Sequence, residues 1–168
     1  KESNVSWLGK IPSHWQLVRA KRVFRSVSEK NHPDAQLLSV TQAKGVIPRD
    51  QFENRVVMPL GDLRTFKLVH KDDFVISLRS FQGGIEYSEH TGLVSPVYTV
   101  LRKQRDIDSG YFKHLLKSDG FISELNTNVI GIREGKDIDF QELSYSFLPI
   151  PATDEQQRIA AFLDEKIA

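Results

Sequence analysis

The spacing of apolar residues changes along the chain, and the changes mark out its elements. Ala20, Val23, Phe24 and Val27 fall at i, i+3, i+4 and i+7, which predicts a short amphipathic helix with its Arg and Lys residues turned outward. From Leu37 to Leu101 the apolar runs are brief and rich in Val and Ile. They are punctuated by Lys44-Gly45, Leu60-Gly61, Lys71-Asp72-Asp73 and Gly83-Gly84, as in a strand-rich half. Val94 to Leu101 is the clearest strand, with Pro96 pointing to an edge or a bulge because proline has no N–H for a ladder. Tyr111, Phe112, Leu115 and Leu116 then predict one helix and Ile122 and Leu125 a second, with Gly120 separating them. Tyr145 to Pro151 reads as a last strand halted by prolines.

A final helix follows. Thr153 and Gln156 have capping-box spacing, and Asp154 and Glu155 complement the positive end of the helix dipole. Ile159, Phe162, Leu163 and Ile167 form an apolar stripe that a lone terminal helix cannot fully bury. No Gly or Asn closes this helix before Ala168, so it is expected to run on. At the other end, Trp7 to Trp15 holds a Gly, a Pro and two indoles, which suits an irregular segment pinned by aromatic anchors.

With 168 residues, 39% hydrophobic and 27% charged, the chain fits one ordinary domain with a single sizeable core. No run of apolar residues is long enough to span a bilayer and no basic-then-apolar leader is visible, so the expectation is a soluble, cytoplasmic protein with no membrane partner. Zero cysteines remove disulfides, thiolate nucleophiles and Cys-based metal sites together. Beginning at Lys1 and with Met58 its single methionine, the sequence reads as an excerpt from a longer product. The net charge is only +1, which argues against indiscriminate phosphate binding. Arg19, Lys21, Arg22 and Arg25 nevertheless concentrate positive charge early, and Asp154, Glu155, Asp164 and Glu165 concentrate negative charge late. One part suits phosphate and another protein, although a basic helix face is also an ordinary solvated one.

Candidate chemistry is sparse. His14, His32, His70, His90 and His114 are far apart and form no local metal-ligand pair. Phosphate-cradling, dinucleotide-binding and nucleophile-elbow glycine motifs are absent. Glu134-Gly135-Lys136, with a distant acid such as Asp34, imitates a metal-dependent nuclease centre, but such centres need clustered carboxylates. Polar and basic residues beside glycine turns are more informative. Lys44 and Arg49 flank one turn, Arg79, Ser80, Gln82 and Tyr87 surround Gly83-Gly84, and Arg133 and Lys136 surround Gly131 and Gly135. In a groove, Arg79 and Gln82 would read bases while Lys44 and Lys136 hold phosphates; three ordinary solvated loops would show the same pattern.

Two segments shift that balance: Trp7-Leu8-Gly9-Lys10-Ile11-Pro12-Ser13-His14-Trp15, and Leu148-Pro149-Ile150-Pro151 followed by Glu155-Gln156-Gln157-Arg158-Ile159. They resemble the W-L-G-x-I-P-x-H-W opening and the I-P-x-P, E-Q-x-x-I close of a target recognition domain in the specificity subunit of type I restriction-modification systems. Ile76 to Ile85 and Gly92 to Pro96 look like one branch of that family. Pro151-Ala152-Thr153 departs from the more usual P-P-L, and the length departs too, since a complete member carries two recognition domains joined by helices.

The resemblance implies an α+β fold of twisted small sheets and helices. Residues 1–152 would be the recognition domain and 153–168 the start of a connecting helix that leads into a coiled-coil spacer. It implies reading of one half-site of a bipartite target in double-stranded DNA, with a second recognition domain in the intact subunit. Modification (methyltransferase) subunits and a restriction subunit would be the protein partners, with Ile159, Phe162, Leu163 and Ile167 at the subunit interface. The chain itself would be non-catalytic and bind no metal or cofactor; S-adenosylmethionine, ATP and magnesium would act on the partner subunits. A metal-dependent nuclease and a protein-only adaptor are the alternatives, separated by magnesium-dependent cutting and by absence of DNA binding in the complex.

Overall fold

The computed structural model describes residues 1–49, 61–127, 129–130 and 137–167, with the backbone alone at 129, 130, 137 and 167. In chain order the strands are β1 (Gln16–Arg19), β2 (Phe24–Val27), β3 (Leu38–Thr41), β4 (Gly45–Pro48), β5 (Lys67–Val69), β6 (Phe74–Ile76), β7 (Glu86–Tyr87), β8 (Gly92–Val94), β9 (Thr99–Lys103), β10 (Val129–Ile130), β11 (Asp137–Ile138) and β12 (Phe147–Ile150). The helices are α1 (Ala20–Val23), α2 (Ser80–Gly83), α3 (Ser109–Leu115), α4 (Asp119–Asn126), α5 (Phe140–Leu143) and α6 (Thr153–Ile167). The fold is α+β.

A four-stranded antiparallel sheet in the order β2-β9-β6-β7 forms the centre, with the ribbons β1-β12, β3-β4, β5-β8 and β10-β11 around it. Side-chain alternation buries both faces of this sheet. Phe24, Phe74, Ile76 and Leu101 join a core with Phe112, Leu116, Phe121 and Leu125 of the helices, while Val27, Val75 and Val100 join a second core with Leu38, Val46, Val69 and Val94 of the hairpins. Phe24 sits at the middle of the first, edge-on to Phe74 at 5.4 Å and to Phe112 at 5.5 Å. Full burial of each such ring contributes roughly 1.5–3 kcal/mol.

The structure redraws several expected elements. The predicted helix over Ala20–Val27 is a single turn, α1, followed by strand β2: Phe24 to Val27 pair with Val100 to Lys103, and ladder pairing overrides the helical spacing. Ala20, Val23, Phe24 and Val27 are all buried even so. The strand expected from Val94 to Leu101 is two strands, β8 and β9, because Ser95 to Tyr98 turns there, with the Tyr98 amide donating to the Ser95 carbonyl at 3.1 Å. Gly120 does not separate the two helices. It lies in the first turn of α4, capped by Ser118, where a Cβ would come within 3.0 Å of the Trp7 carbonyl. The glycine therefore admits Trp7, whose ring stands edge-on to Phe121 at 5.5 Å.

Candidate functional site

The tip of the β3–β4 hairpin is a preformed turn. The Thr41 hydroxyl accepts from the Lys44 amide at 3.0 Å and donates to the Gly45 carbonyl at 2.8 Å. Gly45 has φ +73°, and a Cβ there would meet the Tyr87 carbonyl at 2.7 Å, so this position needs glycine twice over. Lys44 is exposed at this tip and makes no ion pair among the described residues.

The turn before α2 lies against the same tip. Arg79 just before α2 and Gln82 within it are exposed, and a Cβ at Gly83 of α2 would come within 2.9 Å of the Gln42 side chain. A cleft of about 230 Å³ is lined by Lys44, Tyr87, Lys113 and Lys117, and a second of about 210 Å³ by Thr41, Leu78, Arg79 and Tyr98. Gln42 and Glu86 line both. The structure thus brings Lys44 and Arg79 together around Gln42, with Gln82 beside them.

Of the other residues expected in the loops, Tyr87 lines the Lys44 cleft and the rest stand elsewhere or turn inward. Ser80 is 1% exposed, and its hydroxyl accepts from the Ser77 amide at 2.9 Å, so it builds the turn and faces no groove. Tyr87 is half-buried against the Phe74 ring, with its hydroxyl donating to Asp72. Burial, and then that carboxylate, push the phenol upward. Arg49 is half-buried at the end of β4, its amide donating to the Leu37 carbonyl at 2.9 Å. Arg133, Lys136 and the Glu134-Gly135-Lys136 fragment lie outside the described residues. Asp34 is exposed, and among the described residues no group of three or more His, Asp or Glu side chains is placed to hold a metal ion.

Sequence reasoning missed Glu86 and Lys117. Glu86 is 2% exposed on β7, and both of its carboxylate oxygens accept from Lys117 Nζ at 2.7 Å. Lys117 also donates to the Gln42 carbonyl at 3.1 Å. Burial pushes the Glu86 carboxyl up against the opposing pull of Lys117. Glu86 lies between Ile85 and Tyr87 and Lys117 just after α3, so no local motif joins them.

The terminal helix also departs from expectation. Gln156 completes no capping box. It is 1% exposed, its oxygen accepting from the Asp108 amide at 2.9 Å and its nitrogen donating to the Pro151 carbonyl at 2.8 Å. Glu155 accepts from His14 at 2.8 Å and from Trp15 Nε1 at 3.1 Å, and these bonds, His14 first, hold its carboxyl below the usual range. Ile159 packs on the core and Leu163 lines an apolar groove with Trp15, Tyr111 and Leu115. Phe162, expected at the subunit interface, is 58% exposed. The side chain of Ile167 lies outside the described residues.

No family model and no curated protein matches the sequence. Solved structures do match. The HsdS subunit from Thermoanaerobacter tengcongensis is 20% identical with a TM-score of 0.57, over 94% of this chain and 38% of that one. A chain from a structural study of complex assembly and conformational transition of the type I R-M system is 17% identical with a TM-score of 0.61, over 94% and 43%. The type I restriction-modification system S subunit from M. genitalium is 14% identical with a TM-score of 0.55, over 92% and 40%. This chain has the fold of a type I S subunit. It spans about two-fifths of the length of the chains it matches. Within that fold the two sequence motifs at its ends touch: His14 and Trp15 reach Glu155 across 141 and 140 residues. Among the described residues no helix is long and apolar enough to cross a membrane.

Proposed function

We propose that the chain is a target recognition domain that reads one half-site of a bipartite target in double-stranded DNA, within the specificity subunit of a type I restriction-modification complex. The observation that carries this is the pairing of the S-subunit fold with two exposed cations, Lys44 and Arg79, grouped around Gln42 on one preformed tip. Arg79 and Gln82 have the donor geometry for base edges, and Lys44 is a point charge for phosphate. Lys136 and Arg133 are proposed as further contacts, Lys136 to phosphate. Catalysis in this reading belongs to partners: methyl transfer from S-adenosylmethionine on the modification subunits, and ATP- and magnesium-dependent translocation and cleavage on the restriction subunit. The α6 stripe leads toward the second recognition domain and the modification subunits.

Substitution in the assembled complex tests the reading. Arg79→Ala and Gln82→Ala are each expected to cost roughly 1–3 kcal/mol of binding and to relax one position of the methylated target. Lys44→Ala is expected to weaken all sequences alike and to lower the salt slope by about one unit. If sequencing of methylated sites shows unchanged site choice, and DNA titration of the complex unchanged affinity, for both Arg79→Ala and Gln82→Ala, the proposed reading surface is wrong.

A further inference from the structure

The hairpin tip and the Arg79 turn belong to different elements, and isolated turns of this size do not keep a fixed separation. Three contacts hold them. Gly45 lets the tip approach the Tyr87 carbonyl, Gly83 admits the Gln42 side chain, and Lys117 bonds Glu86 and the Gln42 carbonyl at once. The first two are close packing and the third is directional. Lys117 is itself fixed, because it follows Leu116, whose carbonyl accepts from the Ile85 amide at 3.1 Å. That carbonyl would lie 2.5 Å from a Cβ at Gly84, which has φ +84°. Asn126 of α4 ties the other side of the turn by donating to the Phe81 carbonyl at 2.9 Å.

Glu86 is buried on a strand of the central sheet, and where it lines the clefts only 2% of it is exposed. A carboxylate in that position costs desolvation, and well-packed apolar residues would stabilise the sheet as well or better. Its specific geometric effect is to hold Lys117 Nζ where the Gln42 carbonyl can accept from it. The tip is thereby referenced to the rigid sheet.

We propose that Glu86 and Lys117 are positioning residues, a latch that fixes the Gln42–Lys44 turn relative to Arg79 and Gln82 so that both address one stretch of DNA. This rests on the reading surface proposed above and adds the device that gives it register. A latch of this kind acts on discrimination, since a loosely held tip still meets phosphate but loses its alignment with base edges.

The test uses Lys117→Met in a Glu86→Gln background, so that no buried charge is left alone, with Lys117→Arg in the wild-type background as the conservative variant. Amide hydrogen exchange in the protein without DNA reads the tip directly. Exchange at residues 42–45 is expected to quicken about tenfold or more in the double variant, while amides of Val75 and Val100 in the central sheet are unchanged. In the assembled complex the preference for target over non-target DNA is expected to fall about tenfold with non-target binding retained, and Lys117→Arg is expected to preserve both properties.

Unchanged exchange at the tip overturns the latch whatever DNA binding does. A uniform loss of binding with the salt slope lowered by about one unit makes Lys117 a direct phosphate contact and overturns the latch as well. Faster exchange with intact discrimination shows instead that the tip does not read DNA, which removes the underlying surface and the latch with it.

Discussion

Two carboxylates respond to their surroundings in opposite directions, and the pH dependence of stability separates them. Glu86 is raised above its ordinary 4.5 because burial disfavours its charge more than Lys117 favours it. The native state therefore holds a proton that the unfolded chain has released, and stability falls as pH rises from about 4.5 through the folded value. Glu155 is lowered by His14 and then Trp15, so its contribution is present above 4.5 and disappears as pH falls through the depressed value. Urea unfolding across this range checks both. Relative to the wild type, Glu86→Gln is expected to gain stability as pH rises above about 4.5, and Glu155→Gln is expected to flatten the acid limb below it. A Glu86→Gln variant that instead loses ground with rising pH would show that the Lys117 bond outweighs desolvation.

At the scale of elements, α6 is held by its first turns and free on one side. Gln156, Glu155 and Ala160 meet the domain, and Asp164 accepts from His114 at 2.7 Å one face further on. Leu163 shares that face and Phe162 does not. Leu163→Glu removes a half-buried side chain from the Trp15–Tyr111 groove and is expected to cost about 1–3 kcal/mol and to lower the melting temperature. Phe162→Glu is expected to leave melting unchanged and to impair assembly with the modification subunits. Assembly and melting measured on the same two variants decide it: normal assembly by Phe162→Glu would refute docking through that face. Much of this helix was legible in the sequence. Its start, its acidic first turn and the apolar spacing are local signals. The spacing alone did not sort the apolar positions, since they span more than one face, and only tertiary packing shows that Ile159 and Leu163 meet this domain while Phe162 is exposed. Gln156 was misread for the same reason, since its partners Asp108 and Pro151 come from separate elements. In the strand-rich half, Lys44 and Arg79 were singled out through their glycines and are exposed, whereas Ser80 was taken for a surface residue although its hydroxyl is spent on its own turn.

Some of the molecule's positive charge is paired within it, in both buried and exposed ion pairs. Asp73 takes Arg102 at 2.8 Å, Glu86 takes Lys117 at 2.7 Å, Asp62 takes Arg64 at 2.7 Å and Asp154 takes Arg158 at 3.2 Å. A domain whose cations and anions nearly balance, at net charge +1, exerts little net attraction on phosphate at long range. In the proposed reading, the sheet buried on both faces would supply a rigid base for a small reading surface, and selectivity would come from placement rather than from charge. Salt dependence measures the difference. Each neutralised phosphate contributes about 0.9 to the slope of log affinity against log salt; the proposed phosphate contacts are Lys44 and Lys136, and counting Arg79 and Arg133 as well sets an upper bound of four. The chain alone is therefore expected to bind duplex DNA weakly, with a slope no steeper than about −4, and the assembled complex to bind with a steeper slope as further phosphate contacts come from its partners. Titration of one labelled duplex at several salt concentrations, with and without the partners, gives both values. A slope of about −8 for the isolated chain would place a broad phosphate-binding face elsewhere on the domain and make the hairpin tip a minor contact. Equal slopes with and without partners would mean that the recognition domain, paired cations and all, already makes every phosphate contact of the complex.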